Sequence, residues 1–209
     1  DLFDNKIHSK KDITENTSLP FLGSIPKSNA EESIVISESS RSSIAEAFRL
    51  IRTNIDFILP PINESKGKVI FVTSTISGEG KSFISINLAA TLALSKKKVL
   101  LLGLDLRAPK IVQYLNLEER IGVTDFIRNN NLEIKDLVFN FPKIKDLDFI
   151  CSGSIPPNPA ELLLNSRVDD LFLEVTNNYD YILVDTAPIN LVTDTMVIAK
   201  YADMCAFVM

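Results

Sequence analysis

The sequence predicts an α/β fold built around a doubly wound, mostly parallel sheet. Near-continuous apolar runs recur along the chain, and such runs are typical of strands buried on both faces. Segments with helical periodicity separate several of these runs, which favours right-handed crossovers between parallel strands. With 209 residues, 45% of them apolar, the chain is long enough to bury one large α/β core.

Five apolar runs are the predicted strands, at 68–74, 98–105, 147–153, 179–186 and 204–209. Helical patterns cover residues 42–57, 81–97, 158–178 and 190–202. Ligands of such sheets bind beyond the carboxyl ends of the strands. The functional residues are therefore expected in the loops after Thr73, Leu104 and Val184.

The helical pattern at 42–57 has a predicted start and a predicted buried face. Ser43 and Glu46 have the spacing of a capping box, in which each side chain bonds the backbone near the other. The predicted buried face, at helical spacing, consists of Ile44, Phe48, Ile51 and Ile55.

The chain divides by composition into two regions. Residues 1–18 are polar and without period, which indicates a flexible linker, and residues 19–209 are predicted to form the folded domain. The last apolar run stops without a following turn or helix. We therefore expect the natural protein to continue beyond Met209.

Charge and cysteine content narrow the classes of function. The net charge of −5 and the pI of about 5.0 predict no general attraction to phosphate backbones, so no nucleic-acid partner is expected. Cys151 and Cys205 lie in apolar runs and are predicted to be buried free thiols, which suits a reducing cytoplasm. No segment reaches the roughly 18 apolar residues that a membrane span needs.

The stretch TSTISGEGKS, at 73–82, ends as a phosphate-binding loop does but begins differently. Against the pattern GxxxxGK[ST], Thr75 stands where the opening glycine belongs. Gly78 and Gly80 allow close approach of the backbone, and Lys81 can reach the β- and γ-phosphates. The alternative is a glycine-rich helix entry without a ligand. The residues predicted to bind the nucleotide are Thr75, Ser77, Gly78, Glu79, Gly80, Lys81, Ser82 and Phe83.

Two carboxylates and one hydroxyl predict a magnesium site at the same sheet edge. Ser82 is the expected ligand from the loop, and Asp185 follows the apolar run YILV as a Walker B carboxylate does. Asp105 ends another predicted strand, where it is placed to meet a metal or a hydroxyl proton. Taken alone, Asp105 and Arg107 fit a strand-end cap with a salt bridge as well as they fit a site.

These motifs together carry a resemblance to a known family. TSTISGEGKS, LLLGLDLRAPK and YILVDTAPI, with EAFRLIRTNI and GSIPPNPAELLLNS, resemble the bacterial tyrosine kinases that regulate capsule and exopolysaccharide polymerisation and export. The resemblance covers roughly residues 19–209. It implies a P-loop NTPase fold of the partition and septum-site ATPase type, and a protein-tyrosine autokinase that uses ATP and Mg²⁺. The implied catalytic residues are Lys81, Asp105, Arg107 and Asp185, and the implied metal ligands are Ser82, Asp105 and Asp185.

The helix EAFRLIRTNI matches the family's E-x-x-R-x-x-R pattern at Glu46, Arg49 and Arg52. From the residues alone, a solvated charged face with weak ion pairs is the simpler interpretation. The resemblance instead implies contacts between subunits of a homo-oligomer ring. It also implies a membrane-spanning activator, fused or separate, and a location at the cytoplasmic face of the inner membrane.

One departure from the family pattern keeps two alternatives open. Gly103 replaces the first Asp of the family's DxDxR motif, the position favoured as the base acting on the tyrosine hydroxyl. Asp105 would take over that role, or transfer would depend on positioning and metal. The alternatives are a nucleotide-binding switch that controls assembly of the export machinery, and an ATPase that transfers phosphate to water. The family's acceptor tyrosines form a C-terminal cluster, which we expect beyond Met209.

Overall fold

The computed structural model describes residues 7, 10–27, 33–59, 66–118, 120–141, 143–190 and 193–209. The helices in these ranges are α1 (Lys10–Asn16), α2 (Ser43–Ile58), α3 (Lys81–Ala93), α4 (Ile111–Tyr114), α5 (Val123–Arg128), α6 (Pro159–Leu163), α7 (Arg167–Asn178) and α8 (Asp194–Ile198), with 3-10 turns at Ile134–Asp136 and Ala199–Tyr201. The strands are β1 (Lys68–Ser74), β2 (Val99–Gly103), β3 (Phe139–Asn140), β4 (Leu147–Ile150), β5 (Tyr181–Asp185) and β6 (Met204–Val208).

These strands form one sheet in the order β3-β4-β2-β5-β1-β6. Every neighbouring pair is parallel except β3 with β4, which is antiparallel. The predicted mostly parallel sheet is confirmed, and each of the five predicted strands is present. Because β5 lies between β1 and β2, the loops after these three strands meet at one edge of the sheet.

Alternate residues of the central strands enter opposite faces of the sheet, because successive side chains of a strand point to opposite sides. On β1, Ile70 and Val72 pack with α2 and α3, whereas Val69 and Phe71 pack with α7. Helices therefore cover both faces, as the doubly wound prediction required. This double burial explains why the strands are near-continuous apolar runs in the sequence.

A strap, residues 33–37, lies against α3. The side-chain amide of Asn87 donates to the Ser33 carbonyl, and its oxygen accepts from the Val35 N–H, both at 2.9 Å. The same amide donates to the Phe83 carbonyl at 2.9 Å. Asn87 is fully buried, and these bonds satisfy its polar atoms while they fix the strap to α3.

The start of α2 differs from the prediction by one residue. Ser42 is the N-cap, and its hydroxyl accepts from the Ala45 N–H at 3.2 Å. The capping box predicted from Ser43 and Glu46 was therefore wrong, because Ser43 is already helical and Glu46 pairs with Arg49 instead. The predicted buried face is confirmed for Phe48, Ile51 and Ile55, whereas Ile44 is half-buried.

The helical pattern at 158–178 forms two helices rather than the one predicted. α6 ends at Leu163, and α7 begins at Arg167. Between them, the side-chain oxygen of Asn165 accepts from the Arg167 N–H at 2.9 Å. A short amide side chain that bonds nearby backbone in this way competes with the helical hydrogen bonds. The break therefore has a local cause that apolar periodicity does not register.

The two cysteines differ in exposure. Cys151, after β4, is buried, and burial raises the pKa of its thiol. Cys205 is a free thiol but is exposed, so its predicted burial was wrong. Among the described strands, β6 pairs with β1 alone, and an edge strand leaves part of its surface to solvent.

The predicted linker contains one short helix where the structure describes it. α1 has no buried residue, and residues 1–6 and 8–9 of the linker lie outside the described part of the chain. The linker itself stays a prediction. Across the described ranges, no helix combines the length and the hydropathy needed to cross a membrane.

Candidate active site

The candidate site lies at the carboxyl edge of β1, β5 and β2. The strand register sets Asp185, the last residue of β5, opposite Val72 of β1 on one side and Gly103 of β2 on the other. The loop that follows β1 leads into α3, and the loop that follows β2 begins with Leu104 and Asp105. The three loops predicted from the sequence therefore share one edge.

The phosphate loop needs its two central glycines for conformation rather than for space. Gly78 and Gly80 have φ of +98° and +90°, in the left-handed region that disfavours L side chains, and a Cβ at either position would meet no atom within 4 Å. Thr75 is not among the described residues with positive φ. A glycine is therefore not required where the loop opens, and Thr75 can stand there without backbone strain.

Side chains within the loop hold its shape. The Ser74 hydroxyl donates to the Ile76 carbonyl at 2.7 Å, and the Ile76 N–H donates to the Glu79 carboxylate at 3.0 Å. Ile76 itself is 52% exposed. Glu79, predicted to bind nucleotide, thus contributes its carboxylate to the loop rather than to a phosphate, which that negative charge would repel.

The start of α3 is open to an anion. Gly80 is the N-cap and supplies no side-chain hydrogen bond, so the first N–H groups of the helix stay available for phosphate oxygens. Lys81, the first helical residue, is only 7% exposed. Phe83 turns away from the loop and packs its ring 6.1 Å from that of Phe48, so only its backbone N–H could serve a nucleotide.

Asp185 is a buried carboxylate with two serine hydroxyls within hydrogen-bond distance. Ser82 donates to its Oδ2 at 2.9 Å, and Ser85 lies within hydrogen-bond distance of its Oδ1, at 3.2 Å. Burial raises the pKa of Asp185 to about 6, the neighbouring Asp105 adds to the rise, and the Ser82 hydroxyl and the Lys81 charge oppose it. The sequence argument missed Ser85, although a serine three residues after Ser82 in an apolar helix is a usable signal.

Asp105 caps the loop after β2, one of the two roles that the sequence left open, and it also lies near Asp185. Its Oδ1 accepts the backbone N–H groups of Arg107 at 3.2 Å and Ala108 at 3.0 Å, so it caps the loop after β2. Its negative charge also raises the pKa of Asp185. The side chain is 8% exposed, and its Oδ2 makes no hydrogen bond to another described residue.

Arg107 is held by a residue that the sequence argument did not identify. Its Nε donates to Asp194 Oδ2 at 2.7 Å, and its Nη2 donates to Asp194 Oδ1 at 3.1 Å. The hydrogen bond to Asp194 raises the pKa of Arg107 above its ordinary value. Asp194 is the first residue of α8, far from Arg107 in sequence, and no local pattern marks the pair.

Threonine hydroxyls fix the loop that follows Asp185. Thr73 and Thr195 donate to the Ala187 carbonyl at 3.1 Å and 2.7 Å, and Thr186 donates to the Val72 carbonyl at 3.0 Å. All three threonines are buried. They tie this loop to β1 and α8, and none of them was singled out from the sequence.

Gly103, where the family pattern has Asp, faces Ser152 of the loop after β4. A Cβ at Gly103 would lie 3.0 Å from Ser152 Oγ and 3.3 Å from Ser152 N. Both distances are tighter than ordinary van der Waals contact. A side chain at position 103 would therefore require Ser152 to shift.

The donor set at this edge fits one magnesium ion with a nucleotide. Mg²⁺ is usually held by one or two carboxylates together with waters and phosphate oxygens. Ser82, Asp185 and Asp105 supply donors of this kind. The described residues contain no cluster of three or more His, Cys, Asp or Glu side chains able to hold a metal by themselves, so phosphate and water would complete the coordination.

The predicted site residues fall into two groups. Those of the phosphate loop, Asp105, Arg107 and Asp185 come together at the sheet edge. Glu46, Arg49 and Arg52 lie on α2, outside these loops. Arg49 donates to the Glu46 carboxylate and, at 2.6 Å, to the Ser40 carbonyl. The side chain of Arg52 makes no hydrogen bond or ion pair with another described residue.

A family model described as AAA domain matches residues 67–204. The chain is 36% identical over 177 residues to tyrosine-protein kinase YwqD of Bacillus subtilis, covering 84% of this chain and 72% of that protein. It is 30% identical over 207 residues to tyrosine-protein kinase ptk of Acinetobacter johnsonii, covering 93% of this chain but 28% of that protein. The chain thus spans little more than a quarter of that longer relative.

Solved structures agree with the fold. The chimerical protein CapA2B2 superimposes with a TM-score of 0.84 at 34% identity, covering 95% of this chain and 84% of that chain. The septum site-determining protein MinD of Pyrococcus horikoshii superimposes with a TM-score of 0.57 at 18% identity, covering 68% of this chain and 58% of that chain. At that identity the second match shows the fold alone, and it confirms the predicted septum-site ATPase type of P-loop fold.

Proposed function

Because the chain belongs to the family of bacterial tyrosine-protein kinases, we propose that it is an ATP- and Mg²⁺-dependent protein-tyrosine autokinase of a capsule or exopolysaccharide system. The observation that carries the proposal is the 2.9 Å hydrogen bond between Ser82 of the phosphate loop and Asp185 of β5. This bond brings together the two protein groups that hold one metal beside a nucleotide in P-loop enzymes.

Nucleotide binding rests on the backbone of the loop and on Lys81. The N–H groups at the start of α3 would donate to phosphate oxygens, and Lys81 would offset the charge of the β- and γ-phosphates. Bound ATP would supply the phosphoryl group, and Mg²⁺ would offset the charge that develops on it. Ser82 and Asp185 are the residues that would hold the metal.

Transfer needs an acceptor for the tyrosine proton. Asp105 is suited to this role because its Oδ1 is fixed by two backbone N–H groups, while its Oδ2 has no hydrogen bond to a described residue. As the phenolic oxygen forms its bond to the γ-phosphorus, Asp105 would take the hydroxyl proton while the bond to the β–γ bridging oxygen breaks. ADP leaves with that electron pair. Because the transition state of phosphoryl transfer is loose, a weak base such as a carboxylate is sufficient at this position.

A nucleotide-binding switch is the second candidate, and Gly103 is the observation that favours it. The family's first Asp is absent, and a Cβ at Gly103 would lie only 3.0 Å from Ser152 Oγ. If Asp105 cannot replace that carboxylate, ATP would bind and control assembly of the export machinery without transfer.

The proposed partners follow the family and the α2 surface. A homo-oligomer ring would place one subunit's tyrosines at its neighbour's site. Arg49 is engaged within its own chain, so we assign the main contact to Arg52 and to Leu50 and Phe57, which are 57% and 84% exposed. A membrane-spanning activator, fused or separate, would hold the kinase at the cytoplasmic face of the inner membrane.

The test is Lys81→Ala in the full-length protein, with Lys66→Ala as the matched control. Lys66 is exposed and precedes β1 at the opposite edge of the sheet. Lys81→Ala should abolish phosphotyrosine, read by mass spectrometry, and should weaken ATP binding by isothermal titration, because charge-assisted phosphate contacts are lost. Lys66→Ala should change neither.

Unchanged ATP affinity in Lys81→Ala would remove the phosphate-loop assignment. A natural protein that binds ATP but carries no phosphotyrosine, while Gly103→Asp does carry it, would favour the switch. ATP hydrolysis without phosphotyrosine in either protein would favour the ATPase.

A further inference from the structure

The ion pair between Arg107 and Asp194 is unequal in exposure. The Asp194 side chain is 2% exposed, and that of Arg107 is 45% exposed. The two hydrogen bonds, at 2.7 Å and 3.1 Å, run in parallel from Nε and Nη2 to the two carboxylate oxygens. A bidentate pair of this kind fixes the plane of the guanidinium as well as its position.

Asp194 is in turn attached to the loop that follows Asp185. The next residue, Thr195, donates its hydroxyl to the Ala187 carbonyl at 2.7 Å, and the buried Thr73 of β1 donates to the same carbonyl at 3.1 Å. The position of the Arg107 guanidinium is therefore set by the same loop that follows the Walker B carboxylate.

The remaining donors of Arg107 form a fork. A guanidinium carries five N–H donors, and two of them donate to Asp194. The other three, on Nη1 and Nη2, make no hydrogen bond to a described residue. The Nη1–Nη2 edge matches two oxygens of a phosphoryl group, and arginine is suited to such bidentate recognition.

A plain structural tie between two loops explains this arrangement less well. Burying a carboxylate is costly, and well-packed apolar side chains can join two loops without that cost. The buried Asp194 is better explained if it serves to fix the orientation of the exposed Nη1–Nη2 edge of Arg107.

We propose that Asp194 is a positioning residue, which holds the free edge of the Arg107 guanidinium towards the phosphoryl group in transfer. The proposal rests on the proposed kinase function. Asp194 itself touches neither nucleotide nor tyrosine, and it acts through Arg107 alone.

The first experiment compares Asp194→Asn with the parent in the full-length protein. The amide keeps the shape but offers one oxygen and one N–H₂ group, so the parallel pair of hydrogen bonds cannot form. The rate constant for phosphotyrosine formation at saturating ATP should fall by roughly 10- to 100-fold, as for a lost transition-state contact, while ATP affinity changes by less than about threefold. Asp169→Asn, which breaks the exposed ion pair with Lys200, is the matched control and should behave as the parent.

The second experiment is chemical rescue. Arg107→Ala should lose activity, and added guanidinium ion at low millimolar concentration should restore part of it, because Asp194 can bind the free ion as it binds Arg107. Arg107→Ala/Asp194→Asn should show no rescue. A purely structural tie predicts no such difference between the two variants.

Several results would overturn the proposal. One is that Asp194→Asn loses ATP affinity and transfer rate together, in proportion to a fall in its melting temperature. Another is that guanidinium ion restores the activity of Arg107→Ala equally well when Asp194 is replaced by Asn. If the parent forms phosphotyrosine and Asp194→Asn equals it, this proposal alone fails. If the parent binds ATP through Lys81 but forms no phosphotyrosine, the kinase proposal fails and this one fails with it.

Discussion

Replacing Asp185 by Asn should stabilise the nucleotide-free protein while it weakens magnesium-dependent nucleotide binding. Asp185 is 2% exposed, and burial is the main cause that raises its pKa from an ordinary 3.8 to about 6. The native state therefore binds this proton more tightly than the unfolded chain does. The free energy of unfolding therefore falls as the pH rises from 3.8 to about 6, because the native carboxyl loses its proton at a higher pH than the unfolded one. Above about pH 6 the buried carboxylate is ionised and the full loss remains.

The magnitude follows from the size of the pKa rise. A shift of about two units corresponds to about 3 kcal/mol of unfolding free energy lost above pH 6. Asn carries no charge, so this cost disappears. Part of the gain is offset because the Ser82 hydroxyl, which now donates to a carboxylate, must also suit an amide N–H₂ group. We expect a net gain of about 1–2 kcal/mol, or a melting temperature about 2–8 °C higher for a chain of this length.

The assay is thermal unfolding of parent and variant without nucleotide from pH 4.5 to pH 8, with isothermal titration of ATP in the presence and absence of magnesium. The difference in unfolding free energy between the variant and the parent should widen as the pH rises through about 6. Magnesium should no longer increase the ATP affinity of the variant. Asp170→Asn, at an exposed position of α7, is the control and should show no such gap. A variant less stable than the parent at pH 8, or a gap of equal size at pH 4.5 and pH 8, would refute the buried-charge argument.

Two further predictions concern the departure from the family motif and the α2 surface. Gly103→Asp should keep or raise the phosphotyrosine formed per folded molecule, but it should lower the unfolding free energy by about 1–3 kcal/mol through crowding against Ser152. Adding Ser152→Ala to that variant should recover part of the lost stability. An unchanged unfolding free energy in Gly103→Asp would argue against the contact with Ser152. Arg52→Ala should lower the oligomer mass in analytical ultracentrifugation without changing the melting temperature. Arg49→Ala should instead cost about 0.5–1.5 kcal/mol through its bond to Ser40, and an unchanged ring in Arg52→Ala would exclude Arg52 as the contact.

The sheet and the two phosphate-site motifs could be predicted because their signals are local. β1 and β5 are buried on both faces, so burial alone makes them continuous apolar runs. The loop ending in Lys81 and Ser82 must place backbone N–H groups around a phosphate, and this need fixes glycines at set spacing. Such requirements leave a pattern within ten residues of sequence.

The parts that could not be predicted depend on contacts between distant segments. Asp194 meets Arg107 only because β2 and β5 are neighbours in the sheet, and a lone Asp before a short helix carries no sign of that. Ser152 limits position 103 through the pairing of β2 with β4. The start of α2 was displaced for a different reason, since Ser42 and Ser43 are equivalent in composition and only backbone geometry selects the cap.

The bonds of Asn87 join two segments into one cooperative unit. The Val35 N–H is protected by an acceptor on α3, not by a neighbouring strand or turn, and the Ser33 carbonyl is satisfied from the same amide. The strap cannot detach without leaving a buried amide unpaired, and α3 cannot unwind at Asn87 without releasing the strap. In hydrogen exchange, the Val35 amide should therefore report the opening free energy of the helix that carries the phosphate loop, although it lies 46 positions before Lys81 in the chain.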